Sequence, residues 1–210
     1  MEIDFWHERW KQNEIGFHQA GFNSHLQEFW PQLGLAAASR VFVPLCGKSR
    51  DLLWLRAQGH SVLGVEVSPI AVSDFFQENR LTTNVTRSGP FEVWEADGLT
   101  IMCGDFFALT PDRLADIHAV FDRASLIALP PDMRTRYAAH MAAILPPSVT
   151  ILLITMEYPT GGMQGPPFSV EESEVRKLYE RHFRVTSLLR KDIFADERDE
   201  TEARVGEAVA

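Results

Sequence analysis

The sequence predicts an α/β fold, a mostly parallel sheet with helices on both faces. Three observations carry this. Short β-branched apolar runs alternate with segments of helical spacing along the chain. "RVFVPLCGKSRDLLWLRAQGHSVLGVEVS", Arg40 to Ser68, reads as strand, tight loop, helix and strand. "SVTILLITMEY" is the most strongly β-like run in the protein. A chain of 210 residues suffices for one such domain with a full core and is short for two, so a single domain over 1–210 is expected.

Each element has a local reason. "RVFVPL" has the character of a buried parallel strand. "SRDLLWLRAQG" follows with Leu52, Leu53 and Leu55 at helical spacing and Gly59 placed to end the helix. "HSVLGVEVS" is the second strand, and "SPIAVSDFFQENR" opens a helix with Ser68 as cap and Pro69 in the first turn. The unit is a right-handed βαβ crossover. "FEVWEA" and "LTIMCGDFF" flank Asp97-Gly98, a hairpin turn dipeptide. "IHAVFDRASL" is a further strand and "DMRTRYAAHMAAIL" a helix. After "SVTILLITMEY", the Gly/Pro loop "PTGGMQGPPF" is long enough to fold over a site. "SVEESEVRKLYERHF" restarts a helix with Ser169 and Glu172 at capping-box spacing. "FRVTSLLRKDIF" supplies a late strand, part of an antiparallel pair added to the parallel core.

Composition narrows the partners. Lys and Arg total 20 against 29 Asp and Glu, a formal net charge of −9, so a phosphate backbone meets a repulsive average field and no nucleic acid partner is expected. Cys46 and Cys103 are the only cysteines and lack metal or disulfide spacing, which fits a reducing cytoplasm. The seven histidines are dispersed without metal-ligand spacing, so no metal is expected. No leader pattern or long apolar window is present, so no membrane partner is expected. "ADERDETEARVGEA" near the end is charge-dense and expected to be exposed.

The loop after the first strand selects the ligand. "GKS" at Gly47 to Ser49 invites a phosphate-loop reading, but that motif needs a glycine five positions before Gly47, where Phe42 stands. GxGxxG also fails, because Pro44, Leu45 and Cys46 precede a single glycine. S-adenosyl-L-methionine carries no phosphate and needs one close backbone approach, which Gly47 provides. Glu66, near the end of the second strand, can accept both ribose hydroxyl hydrogens. Asp105 offers an acceptor to an adenine amino group and Phe106 an aromatic face. Each residue has a plainer reading: Glu66 as a solvated cap, "DFF" as core phenylalanines beside an exposed Asp, Cys46 as a small buried thiol. The ordered set is what points to the nucleoside.

"FWHERWKQNEIGFHQ", "VFVPLCGKSRDLLWLRAQGHSVLGVEVS", "CGDFF" and "FDRASLIALP", in this order, resemble the bacterial thiopurine S-methyltransferases. The resemblance implies a Rossmann-like class I methyltransferase fold with a seven-stranded sheet. It implies S-adenosyl-L-methionine contacts at Trp10, Leu45, Glu66 and Arg123, with adenine held at Phe106 and Phe107. It also implies that Phe17 touches a thiopurine ring and that Arg123 lies near the substrate, as the catalytic residue. The weak final strand in "EARVGEAVA" departs from the family pattern.

Trp6 and Trp10, four residues apart, share a helix face, and residues 1–35 are read as a helical lid. An ordinary amphipathic helix burying its tryptophans is the plainer alternative. An aromatic ring beside a sulfonium adds cation–π attraction of roughly 0.5–2 kcal/mol. The reading is a monomeric methyltransferase of small aromatic or heterocyclic thiols. Its alternatives are a methyltransferase of another small acceptor such as selenium or tellurium oxyanions, an NAD-linked oxidoreductase, and a cofactor-binding module without catalysis.

Overall fold

The computed structural model describes residues 3–159, 163–192 and 206–209, the last four by their backbone. Two compact units divide the chain, one of residues 1–121 and 144–150, the other of residues 122–143 and 151–210.

In the first unit, helix α1 (Ile3–Lys11) buries one residue, Trp10. Helix α2 (Ser24–Phe29) is capped by Asn23, whose side chain accepts the Leu26 amide, and buries His25, Leu26 and Phe29. A short 3-10 turn, Trp30–Leu33, follows. Trp30 sets its ring edge-to-face with Phe121, and its indole N–H donates to His60 Nε2 at 3.0 Å. These contacts build residues 24–33 into the core.

Strand β1 (Arg40–Val43), helix α3 (Asp51–Ala57), strand β2 (Ser61–Glu66) and helix α4 (Pro69–Glu78) are the expected strand-helix alternation. Gly59 sits just past α3 at φ 90°, a conformation that suits glycine. Ser68 caps α4 by accepting the Ala71 amide. β1 and β2 pair in parallel from Arg40↔Ser61 to Val43↔Gly64.

Strands β3 (Asn84–Ser88), β4 (Phe91–Ala96) and β5 (Leu99–Cys103) come next. β5 pairs in parallel with β2 and antiparallel with β4. Asp97 and Gly98 turn the β4–β5 hairpin with φ 45° and 81°, as an Asp-Gly turn of this kind requires. β3 pairs with β4 and was not expected, since its residues are polar apart from the exposed Val85 and nearly all are exposed. Strand β6 (Ala119–Arg123) pairs with β1 in parallel at Val41↔Ala119 and Phe42↔Val120. The strand order in this unit is β3-β4-β5-β2-β1-β6. β2 and β6 flank β1, so the sheet is built outward from β1 in both directions, and the loop after β1 lies where such sheets bind ligands.

The second unit begins at the end of β6 and holds most of helix α5 (Pro131–Ile144) and strand β7 (Thr150–Glu157). Helix α6 (Glu172–Tyr179), strand β8 (Leu189–Asp192) and strand β9 (Gly206–Val209) complete it. β9 pairs antiparallel with both β7 and β8. The sequence-weak final strand is therefore formed. Ser169 does not cap α6: its hydroxyl accepts the Tyr158 amide and donates to the Tyr158 carbonyl, and Glu171 precedes the helix without a side-chain cap. Seven strands, β1, β2 and β5 to β9, make up the expected class I set, and β3 and β4 are additional. Residues 160–162 of the Gly/Pro loop, and residues 193–205 with most of the charge-dense stretch, lie outside the described residues.

Candidate active site

The first unit gathers the residues that the sequence assigns to a nucleoside around the ends of β1, β2 and β5. After β1 the chain turns through Leu45 at φ 44° and Gly47 at φ 53°. A left-handed leucine is strained. The neighbouring Cys46 amide anchors the turn by donating to the Val65 carbonyl at 3.0 Å. Gly47 has two reasons to be glycine. Its φ is one, and the other is that a Cβ there would stand 3.1 Å from the Trp10 ring.

Glu66 ends β2 with 6% of its surface exposed. Its Oε2 accepts the Gly47 amide at 2.8 Å and its Oε1 accepts the Ser68 amide at 2.7 Å. Burial pushes the carboxyl above its usual range, opposed by hydrogen bonds from the Ser68, Gly47 and Val67 amides and by the charge of His7. A carboxylate has about four lone-pair positions. The Gly47 and Ser68 amides leave part of this accepting capacity for the hydroxyl hydrogens of a ribose.

Lys48 shows what the loop does not hold. Its Nζ lies 2.7 Å from Glu78 Oε1 and 3.3 Å from Asp74 Oδ2, both on α4. The one lysine that a phosphate loop would use is thus committed to carboxylates. Burial, followed by the charge of Glu66, pushes the Cys46 thiol well up, so it stays protonated and is a poor nucleophile. Cys103, beside Glu66 on β5, is pushed to about 11, chiefly by burial.

At the end of β5, Asp105 is exposed and its Oδ1 accepts the Phe107 amide at 2.9 Å, capping the short turn Phe106–Ala108. Phe106 is buried and Phe107 half-buried, their rings edge-to-face at 5.3 Å. Phe107 is therefore the more accessible of the two aromatic faces.

On the N-terminal side, Phe17 bridges both tryptophans. Its ring lies 5.9 Å from Trp6 and 5.6 Å from Trp10, edge-to-face with each, and it remains 37% exposed. The sequence placed Trp6 and Trp10 on one helix face but did not show that Phe17 joins them.

In the second unit, Arg123 is half-buried at the end of β6 and precedes Ala124, which has φ 64°. The adjacent Asp122 is fully buried and its Oδ2 accepts the Tyr137 hydroxyl at 2.8 Å. Burial raises its carboxyl to about 6, opposed by hydrogen bonds from Ser125 and Tyr137. Asp122 is thus a core anchor for this strand end, unlike the solvated loop residue that an Asp-Arg dipeptide usually supplies.

A one-glycine turn after β1, tied to a buried carboxylate at the end of β2 and lacking a phosphate cradle, is the arrangement of a Rossmann-like class I methyltransferase. The fold agrees. The chain is similar to 1,6-didemethyltoxoflavin-N1-methyltransferase of Burkholderia thailandensis, with a TM-score of 0.64, 16% identity and coverage of 99% of this chain and 86% of that one. It is similar too to magnesium protoporphyrin IX methyltransferase of Synechocystis, with a TM-score of 0.63, 15% identity and coverage of 99% and 98%. The chain belongs to the thiopurine S-methyltransferase family, whose model matches residues 1–209. Thiopurine S-methyltransferase of Nitrosospira multiformis is 50% identical over 93% of this chain and 89% of its own length. That of Pseudomonas entomophila is 56% identical over 84% and 82%.

Proposed function

We propose that this protein transfers the methyl group of S-adenosyl-L-methionine to the sulfur of aromatic and heterocyclic thiols, thiopurines among them. The observation that carries the reading is the hydrogen bond from the Gly47 amide to the buried Glu66 carboxylate under Trp10, in a chain of this family. Trp10, Leu45, Gly47, Glu66, Asp105, Phe106, Phe107 and Arg123 are assigned to the cofactor, and Phe17 and Arg123 to the acceptor.

S-adenosyl-L-methionine supplies an electrophilic methyl group on a sulfonium. The chain supplies position and a dry surface. Methyl transfer from sulfonium to thiolate disperses charge, so in-line alignment and exclusion of water account for most of the rate. Glu66 accepts from the ribose hydroxyls. The exposed Phe17 ring offers a flat apolar wall to a planar thiol. Arg123 holds the thiolate or a ring nitrogen with its planar fork of N–H donors. Heterocyclic thiols are substantially ionised near neutral pH, and no paired base is needed. Within residues 1–35, the helix Ile3–Lys11 and Phe17 serve as the cover, and residues 24–33 anchor it to the core. The enzyme works as a single-domain monomer on small molecules in the cytoplasm, apart from nucleic acid and membrane. Among the described residues no helix is long and apolar enough to cross a membrane.

The test is methyl transfer from labelled S-adenosyl-L-methionine to a heterocyclic thiol, with S-adenosylhomocysteine binding recorded on the same sample. Transfer is the expected result. Binding without transfer would sink the thiol assignment, and absence of both would sink the cofactor assignment. Arg123→Ala is expected to lower turnover at saturating cofactor, and unchanged turnover would remove Arg123 from its role.

A further inference from the structure

Helix α1 packs against α4 and is otherwise held by few buried groups. Trp10 is its one buried residue, and its neighbours Phe5, Trp6 and Arg9 are only half-buried. A long-range hydrogen bond ties the helix down at His7, one turn before Trp10 and on the same face. His7 Nε2 lies 3.0 Å from the Val67 carbonyl oxygen, 60 residues away. A carbonyl only accepts, so Nε2 carries the hydrogen and donates it.

The acceptor's position gives this bond its meaning. Val67 lies between Glu66 and Ser68, whose amide donates to the Glu66 carboxylate at 2.7 Å. The Val67 carbonyl that receives His7 and the Ser68 amide that grips Glu66 belong to one peptide group. His7 also interacts electrostatically with Glu66, favouring the ionised carboxylate. Trp10, on the same helix, lies over Gly47, whose amide holds the other side of Glu66. The helix is therefore attached at two points to the turn segments that wrap one carboxylate.

We infer that His7 is a positioning residue that latches α1 onto the cofactor floor and so sets how long the cofactor and its demethylated product stay bound. The inference rests on the cofactor assignment made above. His7 acts through Trp10 and Val67 and touches no reacting atom. Release of product requires the helix to lift, and lifting it breaks the His7–Val67 bond together with the Trp10–Gly47 contact. Because the rest of the unit folds around other residues, the latch can be removed without unfolding the sheet.

The experiment compares wild type, His7→Ala and His7→Gln. Amide hydrogen exchange of α1 is followed in the cofactor-free protein, and S-adenosylhomocysteine release is followed by tryptophan fluorescence in stopped flow. Loss of one such hydrogen bond corresponds to about a fivefold effect. His7→Ala is expected to speed α1 exchange and product release by about that factor, with the melting temperature little changed. His7→Gln, whose amide N–H can also donate, is expected to recover much of the difference. Unchanged α1 exchange in His7→Ala would overturn the latch itself. Faster exchange with unchanged release would overturn its control of residence time. Equal effects in the Ala and Gln variants would overturn the hydrogen bond as the cause. Failure of the wild type to bind S-adenosylhomocysteine would overturn the cofactor assignment, and this outcome is distinct from the other three.

Discussion

Gly47 and Glu66, 19 residues apart, are joined by a 2.8 Å hydrogen bond from backbone amide to buried carboxylate. The bond ties the loop after β1 to the end of β2 and gives the site its floor without any phosphate cradle. Glu66→Gln tests this. A glutamine presents one oxygen and one NH2 where the carboxylate accepts both Gly47 and Ser68 amides, so at least one buried amide is left facing a donor. That costs about 1–3 kcal/mol, partly offset by removal of a buried charge. S-adenosylhomocysteine affinity measured by calorimetry is expected to fall by about tenfold or more, while stability falls less. Wild-type affinity would remove Glu66 from the ribose.

Gly47→Ala separates two costs at one position. The φ of 53° penalises any side chain by about 1–2 kcal/mol, and the added methyl stands 3.1 Å from the Trp10 ring. Urea denaturation is expected to show a loss of about 1–3 kcal/mol. In the Trp10→Leu background the loss should shrink but persist, because the backbone cost remains. Complete disappearance of the loss would mean that the ring contact alone requires glycine.

The parallel core was legible because its signals are local. "RVFVPL", Ser68-Pro69, Gly59 and Asp97-Gly98 each fix one strand, cap or turn by chemistry within a few residues. Glu66 was legible as a carboxylate at a strand end, but its two amide partners were not, since they depend on how the loop folds back. β3 was missed because exposed strands such as "NVTRS" carry no apolar alternation. The Ser169 cap failed because a serine hydroxyl satisfies whichever backbone groups are nearest, here those of Tyr158. Phe17 as the bridge between two tryptophans, and His7 as a long-range donor, come from contacts that no sequence spacing encodes.

Lys48→Met distinguishes a structural lysine from a ligand lysine. Its partners Asp74 and Glu78 are substantially exposed, with side-chain accessibilities of 39% and 53%, so the pairs are screened and worth about 0.2–1 kcal/mol each. The methionine keeps the apolar stem. Stability is expected to drop by about 2 kcal/mol or less for the two pairs together, with S-adenosylhomocysteine affinity unchanged. A large loss of affinity would mean that the lysine serves the ligand after all.

Asp122 gives the protein a pH dependence with a definite sign. Its carboxyl rises from an ordinary 3.8 to about 6 in the folded chain, mainly through burial. Between these two values the folded state holds a proton that the unfolded state has released. Stability is therefore greatest below the unfolded value and declines as pH rises through the folded one, by on the order of 3 kcal/mol in all. Above about pH 6 the carboxylate is ionised in both states and this contribution is flat. The raised carboxyl of Glu66 adds a trend of the same sign, whereas His60, lowered by burial, favours the folded state as pH rises towards its ordinary 6.5. The contribution of Asp122 is isolated by comparing urea midpoints of wild type and Asp122→Asn from pH 4 to 8. Asparagine keeps an acceptor for the Tyr137 hydroxyl but cannot titrate. The variant is expected to lose least relative to wild type at the high end of this range, where the wild type carries a buried charge, and most at the low end. A constant difference across the range would mean that Asp122 ionises alike in the folded and unfolded chains, and would place the origin of any acid dependence elsewhere.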